Sequence, residues 1–90
     1  MNPNQNKEYG WDETITAGNY LYYEIGTGRI IGEVTRVGMT GVRSSAVSHI
    51  DVRNPIYLGH YIDATWAKLA LERHQNWYDN NIENTLDYKE

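Results

Sequence analysis

From Tyr20 to Ile62 the chain repeats one pattern, a short strand-prone run followed by a turn rich in glycine or proline. The first run, residues 20–25, is Tyr-Leu-Tyr-Tyr-Glu-Ile, and Gly26-Thr27-Gly28 closes it with a hairpin turn. Residues 29–37 form the second run and Gly38-Met39-Thr40-Gly41 the next turn. A third run covers 42–52 and is broken by Asn54-Pro55, and a fourth covers 56–62. From Asp63 onward the apolar period changes from two to 3.6, the signature of a helix. The pattern predicts an α+β domain, a three- to four-stranded antiparallel sheet packed on one C-terminal helix.

Side chains alternate across a strand, so each run has two faces. Ile30, Gly32 and Val34 share one face of the second run, and Ile56, Leu58, His60 and Ile62 share one of the fourth. In the helix, Asp63 is placed to accept a hydrogen bond from a first-turn amide. Trp66, Ala67, Ala70, His74 and Trp77 fall on one stripe, flanked by Leu71 and Tyr78, with Lys68, Glu72, Gln75 and Asp79 opposite. The expected core therefore sets Trp66, Ala70 and Trp77 against Ile30, Ile50 and Leu58. On that reading Trp66→Ala costs ~3–5 kcal/mol. Residues 1–17 read as a polar arm with Tyr9 and Trp11 pinned to the domain, 18–79 as the domain, and 80–90 as an acidic tail after a helix ending at 79–81.

Ninety residues suffice for one core, and the absence of cysteine leaves that core without disulfide or thiolate-metal support. The polar start of the chain lacks the apolar stretch of a signal peptide, and no run is long enough to span a membrane. A soluble, cytoplasmic protein is the expectation.

Catalytic patterns fail on geometry. Gly26 to Gly32 has the glycines of a phosphate-binding loop, but a β-branched strand follows where a helix is required. Ser48, His49 and Asp51 hold the residue types of a hydrolytic triad, yet Ser48 points away from His49 on a strand. His49, His60 and His74 lack metal-ligand spacing. The chain reads as a non-enzyme with no cofactor and no metal.

Eight tyrosines and three tryptophans with no phenylalanine give every aromatic ring a polar handle, which suits half-wet positions. With the helix over the Ile30 side, the other sheet face would carry Ile31 and Val47 among Tyr20, Tyr22, Arg43, His49, Arg53, Tyr57 and Tyr61. Tyrosine and arginine together are enriched at interface hot spots, so this face is the expected binding site for a protein partner, host or viral. An ordinary solvated face is the competing reading of the same residues. Nucleic-acid binding through stacking on that face is the alternative, disfavoured by a net charge of −4. A third reading is a homodimer through an exposed edge strand, such as 42–52 or 20–25.

Two segments carry a family resemblance. Gly28-Arg29-Ile30-Ile31-Gly32-Glu33-Val34 resembles the central strand of the AP2-type module of plant regulators and mobile-element integrases. Tyr57-Leu58-Gly59-His60-Tyr61 and the helix from Ala64 to His74 are similar to its leucine-glycine-aromatic strand and its helix. The pattern also looks like that of short bacteriophage proteins. The resemblance covers about half of the chain. It implies a sheet-plus-helix fold, a sheet that enters the DNA major groove, and a phage or mobile-element accessory role.

Overall fold

The computed structural model describes residues 7–38 and 42–89, with side chains as far as Asn81. Most of the turn expected at 38–41, and the side chains of the acidic tail beyond Asn81, lie outside the described residues. Five strands pair antiparallel in chain order: β1 (Tyr9–Glu13), β2 (Tyr20–Glu24), β3 (Ile30–Arg36), β4 (Ser44–Ser48) and β5 (Ile56–Tyr61). One helix, α1 (Ala64–Lys89), follows them. The class is α+β as expected, with five strands instead of three or four.

The additional strand is β1, within the stretch read as a polar arm. Its sequence, Tyr-Gly-Trp-Asp-Glu, sets two strand-favouring aromatics among Gly, Asp and Glu, which strands disfavour, so propensity conceals it. Pairing with β2 forms it, with Trp11 opposite Tyr22 and Glu13 opposite Tyr20. The helix also overruns its expected stop at 79–81, because Asn80-Asn81 supplies neither glycine nor proline to end it. Asn81 instead donates from its side chain to the Trp77 carbonyl one turn back, at 2.8 Å.

Two β-bulges decide which residues face α1. On β3, Tyr23 pairs with Ile30 and Tyr22 with Gly32, so Ile31 has no partner on β2. A regular ladder would set Tyr22 across from Ile31, on the side away from the helix. The extra residue reverses that parity and brings Tyr20 and Tyr22 to the side of Val34 and Gly32. On β5, Val47 pairs with Tyr57 and Ala46 with Gly59, so Leu58 is skipped. Gly59 adopts φ of 127°, a conformation that favours glycine. This second bulge moves Tyr61 to the helix side and His60 to the open side, the reverse of the alternation expected from sequence.

The core lies between α1 and the helix side of the sheet, and contains Tyr22, Ile31, Val34, Ala46, Ala67 and Leu71. Leu58 and Ile50 pack at its margin as expected, while Ile30 is exposed and Ile31 buried in its place. Gly32 lets the helix approach closely, since a Cβ there would lie 2.7 Å from Leu71 Cδ2. Asp63 caps α1, accepting from the Trp66 amide at 3.1 Å.

The buried stripe of α1 is Ala67, Leu71, Gln75 and Asp79. This overturns the expected stripe, because Trp66 is 54% exposed and Trp77 59% exposed. Gln75 and Asp79 occupy the inner side because β1 satisfies them. The Tyr9 hydroxyl donates to Asp79 Oδ2 at 2.5 Å, and Gln75 Nε2 donates to Asp79 Oδ1 at 2.9 Å. Buried polar groups are tolerated when hydrogen-bonded in this way.

Candidate interaction surface

The seven residues expected to share one contact face do not share it. Tyr20 and Tyr22 lie beneath α1, with the Lys68 ammonium 3.7 Å from the Tyr20 ring centroid and Trp11 stacked on Tyr22 at 4.4 Å. Tyr61 also lies on the helix side, and its hydroxyl donates to the Leu58 carbonyl at 3.0 Å. Arg43 and Arg53 are exposed outside the strands, and the Arg53 amide closes a small turn onto Asp51. His49 pairs with Glu33 at 3.2 Å. Tyr57 alone projects prominently from the open face, edge-on to His60. The two bulges move the three tyrosines off the expected face, and the two arginines lie outside the strands.

The covered aromatics serve to fasten β1. Tyr9, Trp11 and Tyr22 form a row under the flank of α1 that carries Lys68, Glu72, Gln75 and Asp79. Burial pushes the Tyr22 phenol up to about 12, with the Glu72 and Asp79 carboxylates adding to the effect. Burial raises the Tyr9 phenol further, helped by its hydrogen bond to Asp79. A cleft of about 320 Å³ opens here, lined by Lys7, Tyr9, Tyr22, Glu72 and Asp79 among others. Glu72 accepts from Trp11 Nε1 and Asp79 from Tyr9 and Gln75, so the carboxylates that line it hold the fold together. Among the described residues no group of three or more potential metal ligands comes together, and no helix is long and apolar enough to cross a membrane.

The opposite flank of α1 is different. Its β1-facing contacts come from Lys68, Glu72, Gln75 and Asp79, and β5 is the far edge of the same sheet. The helix side turned away from those contacts carries Trp66, Ala70, His74 and Trp77. Trp66 and Trp77 are eleven residues apart, three turns plus ~20°, so they share one stripe ~16 Å in length. His74 sits between them in the chain with its ring 6.1 Å from that of Trp77, and its Nδ1 is buried without a hydrogen-bond partner. Burial holds the His74 imidazole below its ordinary value.

The sheet is only partly covered. Ile56 pairs with Ser48, which places it on the helix side, and it remains 41% exposed. Val52 before β5 and Ile62 after it are exposed as well. β5 is an edge strand whose outer backbone groups pair with no other strand among the described residues.

Sequence reasoning placed both indoles inside and so missed this surface. The signal that separates the two flanks is the polar pair Gln75 and Asp79, whose partner Tyr9 lies at the other end of the chain. Compared with known proteins, the chain matches no family model, and no match is found among curated proteins or among solved structures.

Proposed function

We propose that this protein is a non-enzymatic binding module that holds a polypeptide partner on the tryptophan-bearing side of α1. One observation supports this reading above the others: two tryptophans, each more than half exposed, stand on one stripe of a single helix. Tryptophan is the residue most enriched among interface hot spots, and large exposed apolar surface is uncommon on a chain that needs no partner.

This reading keeps the expectation of a protein partner and moves the site away from the Tyr/Arg face. A photo-activated cross-linking residue substituted in turn at Trp66, Trp77 and Tyr57 tests it in the expressing cell. Cross-links to a polypeptide at 66 and 77, with few at 57 on the open face, are expected. Absence of polypeptide cross-links at both 66 and 77 would remove the proposal.

A further inference from the structure

Independently of that reading, we infer that the cleft lined by Tyr9, Tyr22, Glu72, Gln75 and Asp79 is a binding site for a guanidinium group. The first reason is a carbonyl oxygen that the fold leaves unused. Gln75 is only 3% exposed, and its Nε2 donates to Asp79 Oδ1. A carboxylate that also takes the Tyr9 hydroxyl can only accept, so Nε2 must face Asp79 and Oε1 turns away from it. No described residue donates to that Oε1. The oxygen is not sealed inside the protein either, because His74 Nδ1 is the one buried side-chain nitrogen or oxygen without a partner among the described residues. Gln75 lines the cleft, so its carbonyl oxygen opens into it. A buried acceptor turned toward a cleft calls for a donor.

The second reason is the charge around that oxygen. Glu72 lines the same cleft and accepts from Trp11 through Oε2, while its Oε1 has no partner among the described residues. Asp79 stands one turn beyond Gln75. The carboxylates of Asp79 and Glu24 raise the Tyr9 phenol, those of Glu72 and Asp79 raise the Tyr22 phenol, and no cation lowers either. Lys68 is held over the Tyr20 ring. The lining therefore sets two carboxylates against the single exposed ammonium of Lys7, and its balance favours a cation.

Shape selects the kind of cation. The helix supplies the acceptors, with Glu72 and Gln75 three residues apart on one side of it. The sheet supplies the rings of Tyr9 and Tyr22, whose centroids lie 5.5 Å apart. A guanidinium is flat, stacks on aromatic faces, sheds water more readily than an ammonium and donates in a fork from its edge. The volume of about 320 Å³ lies at the small end of the ~300–1,000 Å³ of ligand sites, which suits one side-chain-sized group. Both an arginine side chain and a free alkylguanidine carry that group.

Chemical-shift titration of the full chain at low salt tests the inference, with ethylguanidinium, acetyl-arginine amide, ethylammonium and neutral ethylurea as probes. Ethylguanidinium is expected to shift the Gln75 side-chain amide and the Tyr9 and Tyr22 rings, with a dissociation constant on the order of 1–10 mM. Ethylammonium and ethylurea are expected to bind at least about fivefold more weakly. Glu72→Gln, which keeps an acceptor for Trp11 and removes the charge, should weaken ethylguanidinium by at least about fivefold. Equal binding of acetyl-arginine amide assigns the site to an arginine of a polypeptide, and its exclusion while ethylguanidinium binds assigns the site to a free small molecule. No shift at Gln75 up to about 50 mM ethylguanidinium overturns the inference, as does an equal response to ethylurea or an unchanged affinity in Glu72→Gln. Cross-linking at positions 66 and 77 does not depend on this outcome, because those positions lie on the other side of α1.

Discussion

Replacing Gly32 with alanine is expected to destabilise the protein, although the same change in an open strand would help it. Glycine inside regular structure costs ~0.5–1 kcal/mol relative to alanine through chain entropy. At Gly32 that gain meets a steric limit. The added methyl would sit 2.7 Å from Leu71 Cδ2, 3.2 Å from Leu71 Cδ1 and 3.3 Å from the Val47 carbonyl oxygen. Leu71 is buried at the centre of the core between α1 and the sheet, so its branches have little room to turn away. Overpacking of this kind costs ~1–3 kcal/mol, giving a net loss of ~1–2 kcal/mol.

Urea unfolding followed by circular dichroism measures the loss, and the Leu71→Ala background isolates its cause. Leu71→Ala alone should cost ~2–5 kcal/mol by opening a cavity under α1. With Leu71 gone the methyl at position 32 has space, and Gly32→Ala should become neutral or stabilising there. A coupling energy of at least ~1 kcal/mol between the two sites is therefore expected. Costs that add to within ~0.5 kcal/mol would refute the close approach of Leu71 to Gly32.

Three further predictions follow from the same packing. Asp79→Ala leaves the Tyr9 hydroxyl and Gln75 amide without their shared acceptor, and should cost ~1–3 kcal/mol with faster amide exchange in β1 than elsewhere in the sheet. Trp66→Ala, on an exposed flank, should cost under ~1 kcal/mol when measured by urea unfolding on dilute protein, well below the ~3–5 kcal/mol of a buried tryptophan. The His74 imidazole is held below its ordinary value, so as pH falls through about 6.5 the unfolded chain gains a proton that the folded chain resists. Stability should therefore be complete above that pH and decline below it, and His74→Gln should flatten the decline in denaturation midpoints measured between about pH 7 and pH 5.

Much of the fold was legible. Four runs with glycine or proline turns between them identify β2 to β5 within a few residues, and Asp63 marks the helix start. β1 was not legible as a strand, since Tyr-Gly-Trp-Asp-Glu acquires its conformation from β2 and its anchorage from Asp79 and Glu72. The faces were misjudged for a single kind of reason. A bulge adds one residue to one strand and inverts every alternation beyond it, and nothing in Ile30-Ile31-Gly32 announces that Ile31 will be the residue skipped. Tyr20, Tyr22 and Tyr61 were thereby assigned to the open side when they lie under the helix. The edge strands were misassigned too, because 20–25 and 42–52 both lie inside the five-stranded sheet. Hydrophobicity turned the helix toward its tryptophans, whereas the fold turns it toward Ala67 and Leu71 and satisfies Gln75 and Asp79 through a tyrosine seventy residues away.

The central claim is that the exposed tryptophan side of α1 holds a polypeptide partner. Photo-activated cross-linking in the expressing cell from positions 66 and 77, with position 57 on the open sheet face alongside, tests it most directly. Polypeptide cross-links at 66 and 77 that clearly outnumber those at 57 are the predicted result. Cross-linking at 66 and 77 no greater than at 57 would contradict it.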